Sequence, residues 1–330
     1  MTKRPGAELH LPEGRRAGQP GVTNPPGADS HLPEGRRAGQ PGVTNPPGAD
    51  SHLPEGRRAG QPGVRLLHYW RAMWGIIWRE LWRFVTQRER FISALVRPLV
   101  WLFVFAAGFR AALGLAITPP YETYILYEVY ITPGLIGMIQ LFNGMQSSLS
   151  MVYDREMGSM RILMVCPLPR WFLLLSKLLA GTGVSVLQVY VFLAIAWLYD
   201  IQAPWLGYVW ILPALLLTGL MLGALGLLLS SFIKQLENFA GVMNFVIFPM
   251  FFMSTALYPL WKIKESSALL YHLAQYNPFS QAVELIRFSL YGQFNSQAFI
   301  YTLAAFVLFM MAAIIGYNPS KGMMMRKGGA

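Results

Sequence analysis

Residues able to do chemistry are few in this chain of 330 and widely spread. Histidine occurs five times and cysteine once. His10, His31 and His52 recur at an interval of 21 residues, while His68 and His272 have no partner at metal-ligand spacing. Cys166 alone excludes an internal disulfide and leaves no thiol pair for redox or metal chemistry. No Gly-x-x-x-x-Gly-Lys-Ser/Thr loop is present to cradle phosphates, and no Gly-x-Ser-x-Gly elbow to carry a nucleophile. Two charged groups have informative spacing. Asp154, Arg155 and Glu156 precede Gly158, Arg161, a half-apolar turn over Met160–Val165 and a Pro167-Leu168-Pro169 stop. A short helix there could take force from a bound partner, or the stretch could be a solvated connector. Glu284 and Arg287 sit at i, i+3 and can pair on one helical face. Asn277 and Pro278 break the segment before them into two helical pieces. That pair reads as a structural salt bridge, with substrate contact as the alternative. Neither group is a catalytic constellation, so no enzyme is expected.

Long apolar runs frame these groups. Charge-free stretches cover Tyr130–Met151, Leu178–Tyr199, Val209–Ser231, Phe239–Trp261 and Phe288–Ser320. About 20 apolar helical residues cross a bilayer core of roughly 30 Å. Continuous runs lack the alternation of a barrel strand, so the fold class is all-α, in membrane. Hydrophobic residues make up 54% and charged ones 13%, against roughly 25% charged in soluble domains. The expected crossings are Ala94–Leu113, Ile131–Met151, Leu178–Tyr199, Val209–Ser231, Phe239–Pro259 and Ala298–Ile315. Arg97 and Arg110 bound the first crossing and can snorkel, and Pro98 lies near its start, where a proline loses no intrahelical bond. Six crossings put both termini on one side. With the termini inside, inner segments hold fifteen basic residues and outer ones four, so both termini are expected in the cytoplasm. The net charge of +11 is explained by that asymmetry and not by nucleic acid. Spans almost free of carboxylates and histidines put the energy source outside the chain.

Two N-terminal segments differ in character. Residues 1–64 carry a 21-residue unit, His10–Ser30, that repeats identically from His31 and again from His52 to Val64. Its Pro and Gly content and its single Leu and Val per unit predict disorder, with a lipid- or partner-binding tail as the alternative. Residues 65–330 form the transmembrane domain. Within it, Arg65–Arg90 places Leu66, Trp70, Met73, Trp74, Ile77, Trp78, Leu81 and Val85 at helical spacing, with Arg71, Arg79, Arg83 and Thr86 opposite. An amphipathic helix of that kind suits the headgroup region, where membrane lipids are its partner.

In order along the chain stand an amphipathic helix, Arg97-Pro98, Thr132-Pro133-Gly134-Leu135-Ile136-Gly137-Met138, the Asp154–Arg161 segment, Pro167–Trp171 and Asn277–Phe288. Over roughly residues 65–330 this resembles the permease subunit of bacterial ABC-2 type exporters, the group with nodulation-factor, daunorubicin-type drug and polysaccharide exporters. The resemblance implies a multi-pass protein of the bacterial inner membrane, working as a dimer, most simply of two like copies. It implies a separately encoded ABC ATPase that binds ATP and Mg, with no cofactor in this chain. Asp154, Arg155, Glu156, Gly158 and Arg161 would belong to the coupling helix. The helix with Trp70, Trp74, Trp78, Arg79 and Arg83 would be interfacial, and Asn277, Pro278, Glu284 and Arg287 would belong to an outward re-entrant hairpin. The second and fifth spans would line the route, which makes Asn143, Gln146, Asn244 and Ser254 candidate lining residues, or else interhelical hydrogen-bonding groups. The substrate implied is amphiphilic, drug-like or lipid-linked. The rival readings are a membrane-embedded lipid-modifying enzyme and a scaffold that does not transport.

Overall fold

A computed structural model describes residues 66–86, 88–109, 119–156, 169–233 and 235–317. The repeat tail and the residues after Tyr317 lie outside the described residues. Those described form ten helices and no strand. In chain order they are α1 (Leu66–Thr86), α2 (Arg88–Phe109), α3 (Tyr127–Glu156), α4 (Arg170–Leu198), α5 (Gly207–Phe232), α6 (Leu236–Phe252), α7 (Leu260–Ser266), α8 (Ala268–Tyr276), α9 (Pro278–Leu290) and α10 (Ser296–Gly316).

Three helices are long and apolar enough to cross a membrane: Trp171–Leu198 of α4, then α5 and α10, with 28, 26 and 21 residues. At about 1.5 Å per residue each exceeds or matches a hydrocarbon core of roughly 30 Å. Shorter apolar helices are Leu95–Val104 within α2, and α6. The 30-residue α3 is more polar, and its position explains why. It packs against α2, α4, α5, α6 and α9, and every residue from Tyr130 to Leu141 is buried. The polar groups of that stretch, Thr132 and Gln140, therefore meet protein where those of a peripheral helix would meet lipid.

Close approach in the centre depends on glycine. A Cβ on Gly144 of α3 would lie 2.9 Å from the Gly223 nitrogen of α5, so the two backbones touch. Gly219 and Gly223 also face Thr182 and Leu178 of α4, as small residues four apart allow. At the start of α5, a Cβ on Gly207 would overlap the Leu290 carbonyl oxygen of α9.

Two sequence expectations are corrected. Pro98 is not in a first turn: α2 begins ten residues earlier, at Arg88, so the proline is interior and buried. Nor does the fifth apolar run continue as helix to Pro259. Helix α6 stops at Phe252, and residues 253–258 form a turn before α7. The reason lies in what that turn touches.

Candidate functional site: the two ends of the central helices

One end of the bundle is closed by α8 and α9. Asn277 makes the break between them: its Oδ1 accepts from the Phe279 N–H at 2.9 Å, with Pro278 in the first turn of α9. Its Nδ2 donates to the carbonyls of Met250 and Met253, at 2.8 and 3.0 Å, where α6 ends. Nearby, Arg287 of α9 is 2% exposed. It pairs with Glu284, donates through Nη2 to the Thr255 carbonyl at 2.8 Å, and stacks over the Tyr130 ring at 4.1 Å. Tyr130 donates its hydroxyl to the same carbonyl at 3.1 Å, and Tyr127 to that of Leu257 at 3.1 Å. The Thr255 N–H donates to Ser280 Oγ at 3.2 Å. The backbone after Phe252 is thus satisfied by side chains of α3 and α9, which is why it can leave the helix while buried. Tyr121 packs edge-on against Tyr291 at 4.7 Å. Burial pushes its phenol well up, so it stays protonated.

At the opposite end Met151 and Val152 are buried, Met151 against Leu174, Leu178 and Met310. Helix α3 continues past Met151 through positions 154 and 155 to Glu156, whose carboxylate accepts from the Leu236 N–H at 3.2 Å. Leu236 opens α6, so one exposed carboxylate satisfies a free N–H of its first turn. Gly158, Arg161 and the side chains of Asp154 and Arg155 lie outside the described residues. At this end α1 runs along the first turns of α4: Tyr69 meets Phe172 edge-on at 5.0 Å, and Leu81 covers Gly183. Met73, Ile77, Leu81 and Phe84 are the covered side of α1. Trp70, Trp74 and Trp78 do not share it, because the neighbouring helix selects a narrower face than the apolar stripe. They stand on the flank, each more than half exposed, together with Trp82. Sequence reasoning passed over Trp82, although its spacing of four from Trp78 continues the row. Arg79 and Arg83 both reach Glu80, at 3.3 and 3.5 Å.

Between the ends lie the polar candidates. Asn143 donates to Gln188 of α4 at 2.6 Å, while Gln146 and Asn244 are exposed on α3 and α6. Ser254 is buried, its hydroxyl donating to the Phe251 carbonyl at 2.6 Å and accepting from the Ala256 N–H at 3.2 Å. It serves the turn. Two groups not anticipated join this seam: Gln140 donates to the Leu215 carbonyl at 2.7 Å and accepts from Thr218 at 2.5 Å. Glutamines in the middle of an apolar run were the available signal.

Helix α3 thus runs from the contacts with the turn after α6 at one end to Glu156 at the start of α6 at the other. The family described as ABC-2 type transporter matches residues 71–291, two thirds of the chain. The chain belongs to the ABC-2 type transporter family. Among its relatives, the transport permease ycf38 of Porphyra purpurea is 27% identical over 215 residues, covering 63% of this chain and 69% of the relative. Nodulation protein J of Rhizobium leguminosarum bv. viciae is 20% identical over 235 residues, covering 66% and 84%. The multidrug ABC transporter permease YbhR of Escherichia coli K12 is 33% identical over 131 residues, covering 38% and 35%. As an ABC-2 type permease, the chain is a multi-pass membrane subunit of an ABC exporter, and permeases of this family work with an ABC ATPase. The matched region takes in Trp74, Trp78 and Trp82 of α1, the Glu156 contact and all of α8 and α9.

Proposed function

We propose that two copies of this chain form the transmembrane pathway of a bacterial inner-membrane exporter, driven by a separately encoded ATPase that binds ATP and Mg. Helices α2, α3, α4, α5, α6 and α10 are its six crossings, with both termini in the cytoplasm. Helix α1 lies at the cytoplasmic face with its tryptophans among lipid headgroups, and α8 and α9 form the outward re-entrant cap. The cargo is an amphiphile, drug-like or lipid-linked, in keeping with relatives named for nodulation and multidrug transport.

The observation that carries this reading is the continuity of α3. One unbroken helix places Tyr127 and Tyr130 under the hairpin and Glu156 at the start of α6. The ATPase docks on the segment from Asp154 to Arg161. ATP-driven closure displaces that segment, and Glu156 carries the N-terminus of α6 with it, while the other end of α6 is held by Asn277, beside the turn that Arg287 holds. The helix tilts, and the route along α3 and α6 opens. Closure must bind one state of the permease better than the other, since only differential contact energy shifts an equilibrium.

The test is affinity purification of the tagged protein from its native membrane, with mass spectrometry of what accompanies it. The expected result is a stoichiometric ABC ATPase that is lost when the Asp154–Arg161 segment is substituted. A preparation free of ATPase overturns the reading.

A further inference from the structure

Arg97 is a charge in the wrong solvent. It belongs to the apolar stretch Leu95–Val104 of α2, is exposed, and has no carboxylate within ion-pair distance among the described residues. Its guanidinium lies over the Phe142 ring, 4.1 Å from the centroid. Phe142 is fifteen residues from one end of α3 and fourteen from the other. The next residue, Asn143, bonds to Gln188, which is itself interior to the membrane-length α4. Six residues further along α2, the Phe103 ring meets Tyr199 at the end of α4, at 5.1 Å. The guanidinium is therefore turned onto the middle of the bundle and not toward either end. The expectation that Arg97 escapes by snorkelling does not describe this geometry. A charge at such depth is costly in hydrocarbon, and it is kept where it faces a polar route or meets an opposite charge. Stacking on an aromatic face orients a cation without neutralising it.

We propose that Arg97 receives an anionic group, a phosphate or carboxylate, of an amphiphile at the wall of the route. The inference rests on the reading of α3 as a wall of the route. Among the described residues no carboxylate meets the edge of the stacked guanidinium, and that edge is a planar fork of N–H donors matched to two oxygens. One turn along α3, exposed Gln146 adds an amide to the same face. Arginine suits this task because its rigid fork meets two oxygens at once, where a lysine offers a compact point charge. A bilayer phospholipid and a transported acid both present this chemistry.

The experiment measures binding of radiolabelled dodecyl phosphate and of dodecanol to the full chain in phosphatidylcholine nanodiscs. Arg97→Gln should weaken dodecyl phosphate about tenfold or more, the loss of a charged hydrogen-bond donor, and leave dodecanol unchanged. Arg97→Lys, which keeps charge but not the planar fork, should fall between, and it carries the test if the glutamine variant is not recovered folded. Equal dodecyl phosphate affinity in wild type and variants overturns the proposal, as does an equal loss for both ligands. Added phosphatidylglycerol identifies the source. Competition assigns the site to a lipid headgroup and its absence to the transported molecule, and either result upholds an anion site. No ATPase enters the assay, so failure of the ATPase-coupled reading leaves this result standing, and the converse holds too.

Discussion

The two ends of α3 are built on opposite principles. At the hairpin end, a buried arginine paired with Glu284, two tyrosines and an asparagine donate to carbonyls of the turn after α6. At the other end, among the described residues, an exposed carboxylate accepts from the first N–H of α6. Buried charged networks are costly to break and hold one geometry, whereas exposed single contacts are exchanged readily with water. On the proposed function, the hairpin end would be the fixed point and the Glu156 contact the adjustable one. A machine worked by a partner at one end needs that asymmetry, since two rigid ends would resist motion and two loose ones would dissipate it.

Removing the arginine should break the fixed end outright. Arg287→Met leaves Glu284 beside an apolar site and takes one donor from the Thr255 carbonyl, a loss on the order of 3–5 kcal/mol for one member of a buried pair. Thermal unfolding in detergent should show a large fall in Tm together with poor recovery. A variant as stable as wild type would mean that the hairpin is not the fixed point. Asn277→Ala comes next. It loses the α9 cap and both bonds to the end of α6, about 1–2 kcal/mol by the cost of a lost cap. Its Tm should fall less than that of Arg287→Met, and the hairpin amides should exchange faster than those of α5.

How much of this contrast was legible in the sequence follows from the range of the contacts. The break at Asn277-Pro278 and the Glu284–Arg287 pairing were readable because their partners lie two and three residues away. Apolar runs announced α4, α5 and α10 for the same local reason. The end of α6 was not readable. An apolar run reports that a segment avoids water, and is silent on where its backbone leaves the helix. Here that is decided by Tyr127 and Tyr130, 130 and 125 residues distant. The tryptophans teach a related lesson. A wheel drawn from α1 alone merges Trp70, Trp74 and Trp78 with Met73 and Ile77. Only the presence of α4 separates a covered face from an open flank.

The smallest change in stability should come with a large change in function. Glu156 is exposed, and its bond to the Leu236 N–H is replaceable by water, so Glu156→Ala should leave unfolding within about 0.5 kcal/mol of wild type. If Glu156 joins α3 to α6, however, the variant should still bind the ATPase while substrate no longer stimulates ATP hydrolysis. Glu156→Gln sharpens the point. Its amide oxygen can still accept from Leu236, so it should retain most stimulation although the charge is gone. Glu156→Arg replaces an acceptor with a donor and sets a positive charge against the positive end of α6, so it should uncouple fully. Undiminished stimulation in the arginine variant would remove Glu156 from the path of motion. Equal loss in the glutamine and arginine variants would make its charge, and not its hold on α6, the quantity that matters. In that case the adjustable end would be a surface for the partner and no longer a joint within this chain.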